Sequence, residues 1–275
     1  MSRPEYAAPP ELFYNADEAA KYTQNTRMIQ IQRQLTERCL ELLNLPAERA
    51  CFLLDVGCGS GLSGEQLTYG GHIWIGMDIS RDMLDVANER GCEGDLFEAD
   101  MGQGAFYKPG TFDGVISVSA LQWLCNQDKR WHEPRKRLKK FFTTLYGCMW
   151  PGLSASFPTD LWWLEMITHA AMKAGFTGGV VVDYPHSTRA KKIYLCLFAG
   201  VVGNVPRGKT GEEGANQQSA GASFSKQERR DKRKQRATKG RDWIMQKKER
   251  RRKQIGQREV RPDTKYTGRK RADKF

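Results

Sequence analysis

Three glycines and one aspartate lie together between Asp55 and Gly61, where an apolar run gives way to small and polar residues. The stretch from Leu54 to Gly61 reads LDVGCGSG. Glycine allows sharp backbone turns and close approach to a ligand, and amide N–H groups at the start of a following helix attract polar ligand groups. This pattern predicts a backbone turn that holds a nucleotide-like cofactor.

Two kinds of cofactor are compatible with such a turn. Gly59, Gly61 and Gly64 match the spacing of a dinucleotide fingerprint, but the match begins two residues after the first glycine of the turn. Asp55 would repel a pyrophosphate, whereas its carboxylate suits the ammonium and sulfonium charges of S-adenosylmethionine. A glycine turn alone is weak evidence, so a dehydrogenase remains the alternative at this point.

Polar residues also follow the next three apolar runs. Asp78 ends the second run, where a carboxylate can accept hydrogen bonds from both ribose hydroxyls. Asp100 and Met101 end the third run, where they can meet the adenine amino group and ring, and residues 117–123 end the fourth, facing the reactive methyl group. Each aspartate alone could equally cap a helix or form a turn. Together these positions predict a class I S-adenosylmethionine-dependent methyltransferase.

The residues that are predicted to bind the cofactor come from these four positions. They are Asp55, Gly57, Cys58, Gly59, Gly61, Asp78, Ile79, Asp100, Met101 and Ser117. The sequence offers no convincing acid–base pair, because neither His72 nor His132 has an evident partner. The catalytic residues therefore stay unassigned.

The elements that must position these residues alternate between strands and helices, as parallel sheets require. Short apolar runs predict strands, and apolar residues spaced three and four apart predict helices. The predicted fold is α/β and Rossmann-like, with a mainly parallel, doubly wound sheet. The predicted strands are 51–56, 72–77, 95–99, 112–118, 153–157, 180–183 and 193–198, and the predicted helices are 63–69, 80–89, 136–148 and 164–174, after a helical region at 11–45.

Charge divides the chain into a body and a tail. Residues 201–275 hold 24 Lys/Arg and 9 Asp/Glu, a net charge of +15, whereas residues 1–200 have a net charge of −3. Such a tail is typical of an RNA-binding or nuclear-import arm, and the alternative is a solvated tail that only aids solubility. The predicted domains are a helical cap at 1–48, a methyltransferase domain at 49–200, a flexible linker at 201–225, and a basic, largely disordered or conditionally helical extension at 226–275.

Cysteine usage indicates a reducing compartment. The seven cysteines are scattered and include no Cys-x-x-Cys pair, which argues against a disulfide framework and against a metal site built by this chain. The longest apolar stretch, 193–202, is about half of what spans a bilayer, so no membrane association is expected. The cytoplasm or the nucleus is the expected location.

Several stretches along the chain resemble one narrower family, the eukaryotic 18S rRNA (guanine-N7) methyltransferases of small-subunit ribosome biogenesis. The resembling stretches are FYNADEAAKYTQNTRMIQIQ, LLDVGCGSGLSGE, IGMDIS, SVSALQWLCN, KAGFTGGVVVDYPHSTRAKKIYLCLF and REVRPDTKYTGRKR. The last of these is far more specific than a glycine turn. The resemblance implies action on 18S rRNA in the pre-40S particle, within the nucleus and nucleolus. It also implies a heterodimer with a small zinc-binding methyltransferase-activator protein, which pairs with a sheet edge.

The implied reaction agrees with the lack of an acid–base pair, because guanine N7 carries an available lone pair and its methylation needs positioning rather than a base. Trp123 and Tyr22 are the candidates for stacking on the base or closing over the cofactor, with Gln122 beside them, although Trp123 could equally be a core residue. The fourth-run position has no Asn-Pro-Pro-Tyr motif, which disfavours methylation of an exocyclic amine.

One segment, residues 153–166, departs from the family pattern. It reads LSASFPTDLWWLEM and lacks the tyrosine–proline–glutamate turn of the family. Pro158 is expected to cut the strand to 153–157, and Trp162 and Trp163 occupy positions where polar residues are expected. We therefore expect this segment to be the least well-formed part of the domain, and its effect on activity stays open.

Two other functions stay open on the sequence. The first is a ribosome-assembly factor that binds pre-rRNA through its tail, with methylation dispensable or impaired. The second is a small-molecule methyltransferase, which would leave the +15 tail without a purpose.

Overall fold

The computed structural model describes residues 4–46, 48–150, 154–159, 161–200, 205–210, 221–224 and 249. They form a single eight-stranded sheet with helices on both faces. The strand order is β3-β2-β1-β4-β5-β7-β6-β8, in which the first five strands are mutually parallel and the last three run antiparallel to their neighbours. The strands are β1 (Phe52–Val56), β2 (Ile73–Asp78), β3 (Asp95–Glu98), β4 (Gly114–Ile116), β5 (Ser154–Pro158), β6 (Thr177–Asp183), β7 (Lys192–Phe198) and β8 (Gly221–Phe224).

This arrangement confirms the predicted mainly parallel α/β sheet. The region 11–45, predicted as helical in two pieces, consists of three helices, because Asn15 and Asn25 each cap a new helix by accepting a backbone N–H at 3.1 Å. No described helix is both long and apolar enough to cross a bilayer. The helices are α1 (Pro10–Phe13), α2 (Ala16–Gln24), α3 (Thr26–Leu43), α4 (Leu62–Tyr69), α5 (Arg81–Glu89), α6 (Pro134–Cys148) and α7 (Leu161–Ala174).

Apolar residues fill both sides of the sheet. Successive residues of a strand point to opposite faces, so Leu54 joins the cluster under α6 and α7, while Leu53 joins the cluster under α3 and α4. Phe141 and Phe142 of α6 are fully buried in the first cluster. Burying one such side chain stabilises the fold by about 1.5–3 kcal/mol. The two clusters therefore fix the sheet that carries the loops of the site.

Strand β5 runs one residue beyond its expected end at 157, and the expectation that residues 153–166 are the least well-formed part of the domain stays a prediction. It includes Pro158, and each of its five residues is buried between β4 and β7. The Thr159 N–H donates to the carbonyl of Ile193 at 2.9 Å, which makes Pro158 a non-hydrogen-bonded position of the antiparallel ladder. Pro158 therefore removes no hydrogen bond between β5 and β7. Residues 151–153 and 160 of this region lie outside the described residues.

Residues 205–210, inside the predicted flexible linker, lie against α3 and the end of β6. Arg38 on α3 donates to both carboxylate oxygens of Asp183, at 2.8 and 3.1 Å, and to the carbonyl of Arg207. The Lys209 N–H donates to the same carboxylate at 2.8 Å. A buried, bidentate ion pair thus holds this stretch, which composition alone does not indicate.

The predicted linker also contributes strand β8, which pairs with β6. The structure therefore differs from a flexible linker at 205–210 and 221–224. The rest of 201–225 lies outside the described residues, as does the predicted basic extension at 226–275 apart from residue 249.

Candidate cofactor and substrate site

A cavity of about 760 Å³ opens at the carboxyl ends of the parallel strands. This is the position where ligands bind in doubly wound sheets. The polar and aromatic lining residues are Glu11, Tyr14, Tyr22, Asp78, Asp100, Ser119, Trp123, Asp128, His132 and Arg137, and Gly57, Ile79 and Met101 complete the part of the wall that the sequence predicted.

The turn between β1 and α4 requires its glycines. Gly57, Gly59 and Gly61 all have positive φ, at +74°, +53° and +78°. A Cβ atom on Gly57 would lie 2.2 Å from the Cβ of Ala120, closer than real side chains approach. Gly57 lines the cavity, whereas Gly59 and Gly61 shape the turn behind it. The predicted cofactor turn is therefore present, with backbone rather than side chains facing the ligand space.

Asp78 connects this turn to the next loop. Its carboxylate accepts the Gly59 N–H and the Ser80 N–H, both at 2.9 Å. Burial raises the pKa of Asp78, and the hydrogen bonds from these backbone N–H groups act in the opposite direction. An ionised carboxylate has about four acceptor positions, so two remain for hydroxyl groups in the cavity that Asp78 lines. This geometry suits a ribose diol.

Asp55 does not reach the cavity. Its carboxylate is fully buried beneath the turn, where it accepts a hydrogen bond from the Ser63 hydroxyl. Burial raises the pKa of Asp55 to about 7, an effect that Asp78 reinforces and the Ser63 hydrogen bond opposes. The geometry therefore does not support the expected contact between Asp55 and the cofactor charges.

Two further predicted cofactor residues lie behind the wall. Cys58 packs beneath β2, with its sulfur close to Gly76, and Ser117 is fully buried at the end of β4. Neither residue lines the cavity. Gly57, Asp78 and Asp100 thus meet at the cavity. Asp55, Cys58 and Ser117 lie behind its wall and support it.

Asp100 has a partner that the sequence did not indicate. One of its oxygens accepts the Gly102 N–H at 2.8 Å and the Arg137 guanidinium at 2.6 Å. The guanidinium lies against Gly102, where a Cβ atom would be 2.3 Å from its Nε. Arg137 comes from α6, 37 residues along the chain, and a glycine two residues after the aspartate is the only local signal of its approach. Met101 lines the cavity beside this pair.

Aromatic side chains form the wall on the N-terminal side. Trp123 is buried, and its ring centroid lies 5.8 Å from that of Tyr14 and 6.0 Å from that of Phe13. Tyr14 in turn lies 5.9 Å from Tyr22. The Ser80 hydroxyl donates to the Tyr14 carbonyl at 2.8 Å, which ties this wall to the loop after β2. Tyr22 and Trp123 are therefore placed at the site as predicted, and Tyr14 is an addition.

A second groove begins where the cofactor cavity ends. It is open to solvent, spans about 1680 Å³ and shares Tyr14, Tyr22, Ser119 and Trp123 with the first cavity. Gln122, predicted as a positioning residue, lines this groove and donates to the Ser119 carbonyl at 2.7 Å. The structure thus offers two joined spaces, one of cofactor size and one larger, with aromatic rings between them.

The histidines supply no acid–base pair here. Burial lowers the pKa of His132, and the Arg137 guanidinium lowers it further, so the imidazole at the cavity is neutral near pH 7. His72 lies at the other end of the sheet, where its Nδ1 accepts the Cys51 N–H at 3.3 Å. The described cavity can therefore orient ligands and exclude water.

Comparison with known proteins gives consistent results. Residues 54–142 match the family described as "Methyltransferase domain", and residues 197–273 match "Methyltransferase involved in Williams-Beuren syndrome". The chain is 52% identical over 279 residues to a Mus musculus protein named 18S rRNA (guanine-N(7))-methyltransferase, covering 99% of this chain and 98% of that one. It is 44% identical over 287 residues to the Saccharomyces cerevisiae 18S rRNA (guanine(1575)-N(7))-methyltransferase, with both chains fully covered.

Among solved structures, the fold is similar to that of the PH0226 protein from Pyrococcus horikoshii OT3. The TM-score is 0.50 at 16% identity, over 66% of this chain and 98% of that chain. At this identity the likeness concerns the fold alone.

Replacing Asp78 with Lys is expected to abolish binding of S-adenosylmethionine. The variant removes the acceptor of two backbone N–H groups and places a cation where hydroxyl groups must be held. Isothermal titration with S-adenosylhomocysteine would measure the loss, which we expect to exceed about 100-fold, or about 2.7 kcal/mol. Asp85→Lys on the exposed face of α5 carries the same charge change and should bind normally. Binding by Asp78→Lys equal to that of this control would contradict the assignment.

Replacing Asp55 with Asn is expected to stabilise the protein increasingly as the pH rises from about 4 to about 7. Over that range the folded state retains a proton on Asp55 that the unfolded state has lost, because the folded pKa is raised to about 7. The free energy of unfolding of the wild type therefore falls by a few kcal/mol over this pH range. The neutral amide that replaces the Asp55 carboxyl does not titrate, so the variant avoids this loss. Urea unfolding at several pH values measures the difference, with Asp85→Asn as the control. If the free energies of unfolding of the two variants differ by the same amount at every pH, the pKa of Asp55 is not raised in the folded state.

Proposed function

The chain belongs to the family of 18S rRNA (guanine-N7) methyltransferases, and we propose that it makes N7-methylguanosine in 18S rRNA during small-subunit biogenesis. S-adenosylmethionine is its cofactor, and methyl transfer is its reaction. The observation that carries the proposal is the junction of the two cavities at Trp123, Tyr14 and Tyr22. A base that enters the larger groove meets the cofactor cavity there.

The chemistry needs positioning more than proton transfer. The cofactor supplies a methyl group that its sulfonium charge activates. Asp78 and the glycine turn fix the position of that cofactor, and Trp123 and Tyr22 can stack on the guanine, a contact worth about 1–3 kcal/mol per base. The aromatic wall, in which Trp123 is buried, covers the line of transfer and limits the access of water to it. Guanine N7 uses its own lone pair, so this reaction requires no proton transfer to His132 or to the carboxylates that line the cavity.

A second function is an assembly role that does not depend on methylation. The observation that favours it is the +15 charge of residues 201–275, which is suited to RNA phosphates. Action in the nucleus and nucleolus belongs to both functions. The two can occur in one protein and are separable by mutation.

We also propose where a small zinc-binding activator docks. The sheet ends at β3 and at β8, and among the described residues β3 pairs only with β2 and β8 only with β6. Phe97 on β3 is 49% exposed, and Ile73 on the neighbouring β2 is 65% exposed. An unpaired edge beside exposed apolar side chains is suited to strand addition by a partner. A small protein that pairs with β3 would cover both.

Mass spectrometry of 18S rRNA tests the methylation. Incubation of under-methylated pre-ribosomes with the chain and the activator should yield N7-methylguanosine, and Asp78→Lys should yield none because it lacks the cofactor. If pre-rRNA processing in cells survives Asp78→Lys but fails when residues 226–275 are deleted, the assembly role is the main one. Absence of N7-methylguanosine with the wild-type complex would refute the proposed activity.

Replacing Phe97 with Asp should abolish co-purification with the activator. The carboxylate would have to be buried against an apolar partner surface, at a cost of several kcal/mol. Trp150→Asp changes an aromatic residue that is 57% exposed after α6, and this control should leave the complex intact. Co-purification of the Phe97 variant at the control's level would exclude the β3 edge.

A further inference from the structure

A dense group of cations lies on the segment that leads into α6 and along that helix. Residues 129–140 contain seven Lys/Arg and one acidic residue, although residues 1–200 as a whole have a net charge of −3. The rest of the body is therefore distinctly acidic. The seven are Lys129, Arg130, Arg135, Lys136, Arg137, Lys139 and Lys140.

Four of these cations have a partner within the protein, including Lys140, which donates to the Gln103 side chain at 3.3 Å, and three are available to a binding partner. Arg137 is bound to Asp100, Lys129 to Glu11, and Lys136 to Glu133. Arg130, Arg135 and Lys139 are exposed and make no ion pair with the residues that the structure describes. Arg135 and Lys139 are four residues apart on α6, so their side chains lie on the same face of the helix.

An exposed tryptophan stands within this group. Trp131 is 77% exposed, directly between Arg130 and the buried His132. Its only ring contact among the described residues is with His132, at 6.3 Å between centroids. An indole in water forgoes the burial that a large apolar side chain normally gains on folding. A flat aromatic surface between cations is the combination that holds unpaired nucleotides, by stacking and by phosphate attraction.

The position of the group links it to the site. Asp128, His132 and Arg137, which alternate with these residues along the chain, line the cofactor cavity. Arg130 and Trp131, next to the cavity-lining His132, therefore lie at the outer rim of the same cavity. Arg135 and Lys139 extend the basic surface along the face of α6 opposite Arg137. An RNA strand with one base in the adjoining groove can continue along this surface.

We propose that Arg130, Trp131, Arg135 and Lys139, named here the rim surface, bind single-stranded RNA next to the methylated guanine. The inference rests on the proposed function and adds a docking site on the body, separate from the basic tail. An acidic membrane would pair with the cations, but a single indole at a cavity rim offers no continuous apolar face to insert. RNA accounts for both the cations and the indole.

Photocrosslinking on the full chain in complex with its activator tests the rim surface. The probe is a 4-thiouridine-containing 18S rRNA fragment, and the crosslinked peptide should include residues 129–140. Trp131→Ala should raise the KM for under-methylated pre-ribosomes about 5-fold or more with S-adenosylhomocysteine affinity unchanged, because stacking is worth about 1–3 kcal/mol. Trp150→Ala, at another exposed indole, should leave KM unchanged.

Charge variants separate the rim from the tail. Arg130→Glu with Arg135→Glu should lower the salt dependence of RNA-fragment binding by about 0.7 log units per lost phosphate contact. Lys108→Glu with Lys173→Glu makes the same charge change at exposed positions elsewhere and should keep the wild-type slope.

Several outcomes would overturn the rim surface. They are crosslinks outside 129–140 only, rim variants indistinguishable from their controls, or rim-dependent flotation with phosphatidylserine vesicles while RNA binding is unchanged. A wild-type chain that makes no N7-methylguanosine but crosslinks through Trp131 would refute the activity and leave the rim surface standing.

Discussion

The carboxylate of Asp78 joins the glycine turn to the start of α5, and the rest of the site is arranged around this connection. The turn can approach so closely only because Gly57 and Gly59 adopt positive φ. Ala120 then packs against Gly57 and brings the loop after β4 beside the turn after β1. Ser80, whose N–H donates to Asp78, also holds Tyr14 and with it the aromatic wall. One half-buried carboxylate therefore organises the ends of three strands.

The sequence alone predicted the parallel strands of the sheet. It also predicted the site residues that lie at the carboxyl ends of those strands. Asp78, Asp100 and Met101 line the cavity because the carboxyl ends of parallel strands meet at one edge. Asp55 does not line the cavity, because side chains alternate across a strand and its carboxylate lies beneath the glycine turn. Arg137 and Tyr14 reach the site from distant segments of the chain. Residue spacing near the strand ends does not identify which distant side chains will contact them.

Non-local pairing also explains the errors outside the site. Pro158 was expected to end β5, yet its missing N–H falls at a position where the β7 ladder needs none. Composition marked residues 205–210 as linker, but Arg38 and Asp183 hold their backbone at the end of the sheet. In both cases the deciding partner lies far along the chain, so local propensity had no access to it.

The aromatic wall has a consequence for the timing of the catalytic cycle. Its N-terminal part, Phe13 and Tyr14, is held by the Ser80–Tyr14 hydrogen bond, the half-exposed Lys129–Glu11 ion pair and ring contacts with the buried Trp123. The hydrogen bond and the ion pair are each worth about 1 kcal/mol or less. Displacing Phe13 and Tyr14 breaks no contact of the central strands, so cofactor exchange does not require unfolding of the sheet.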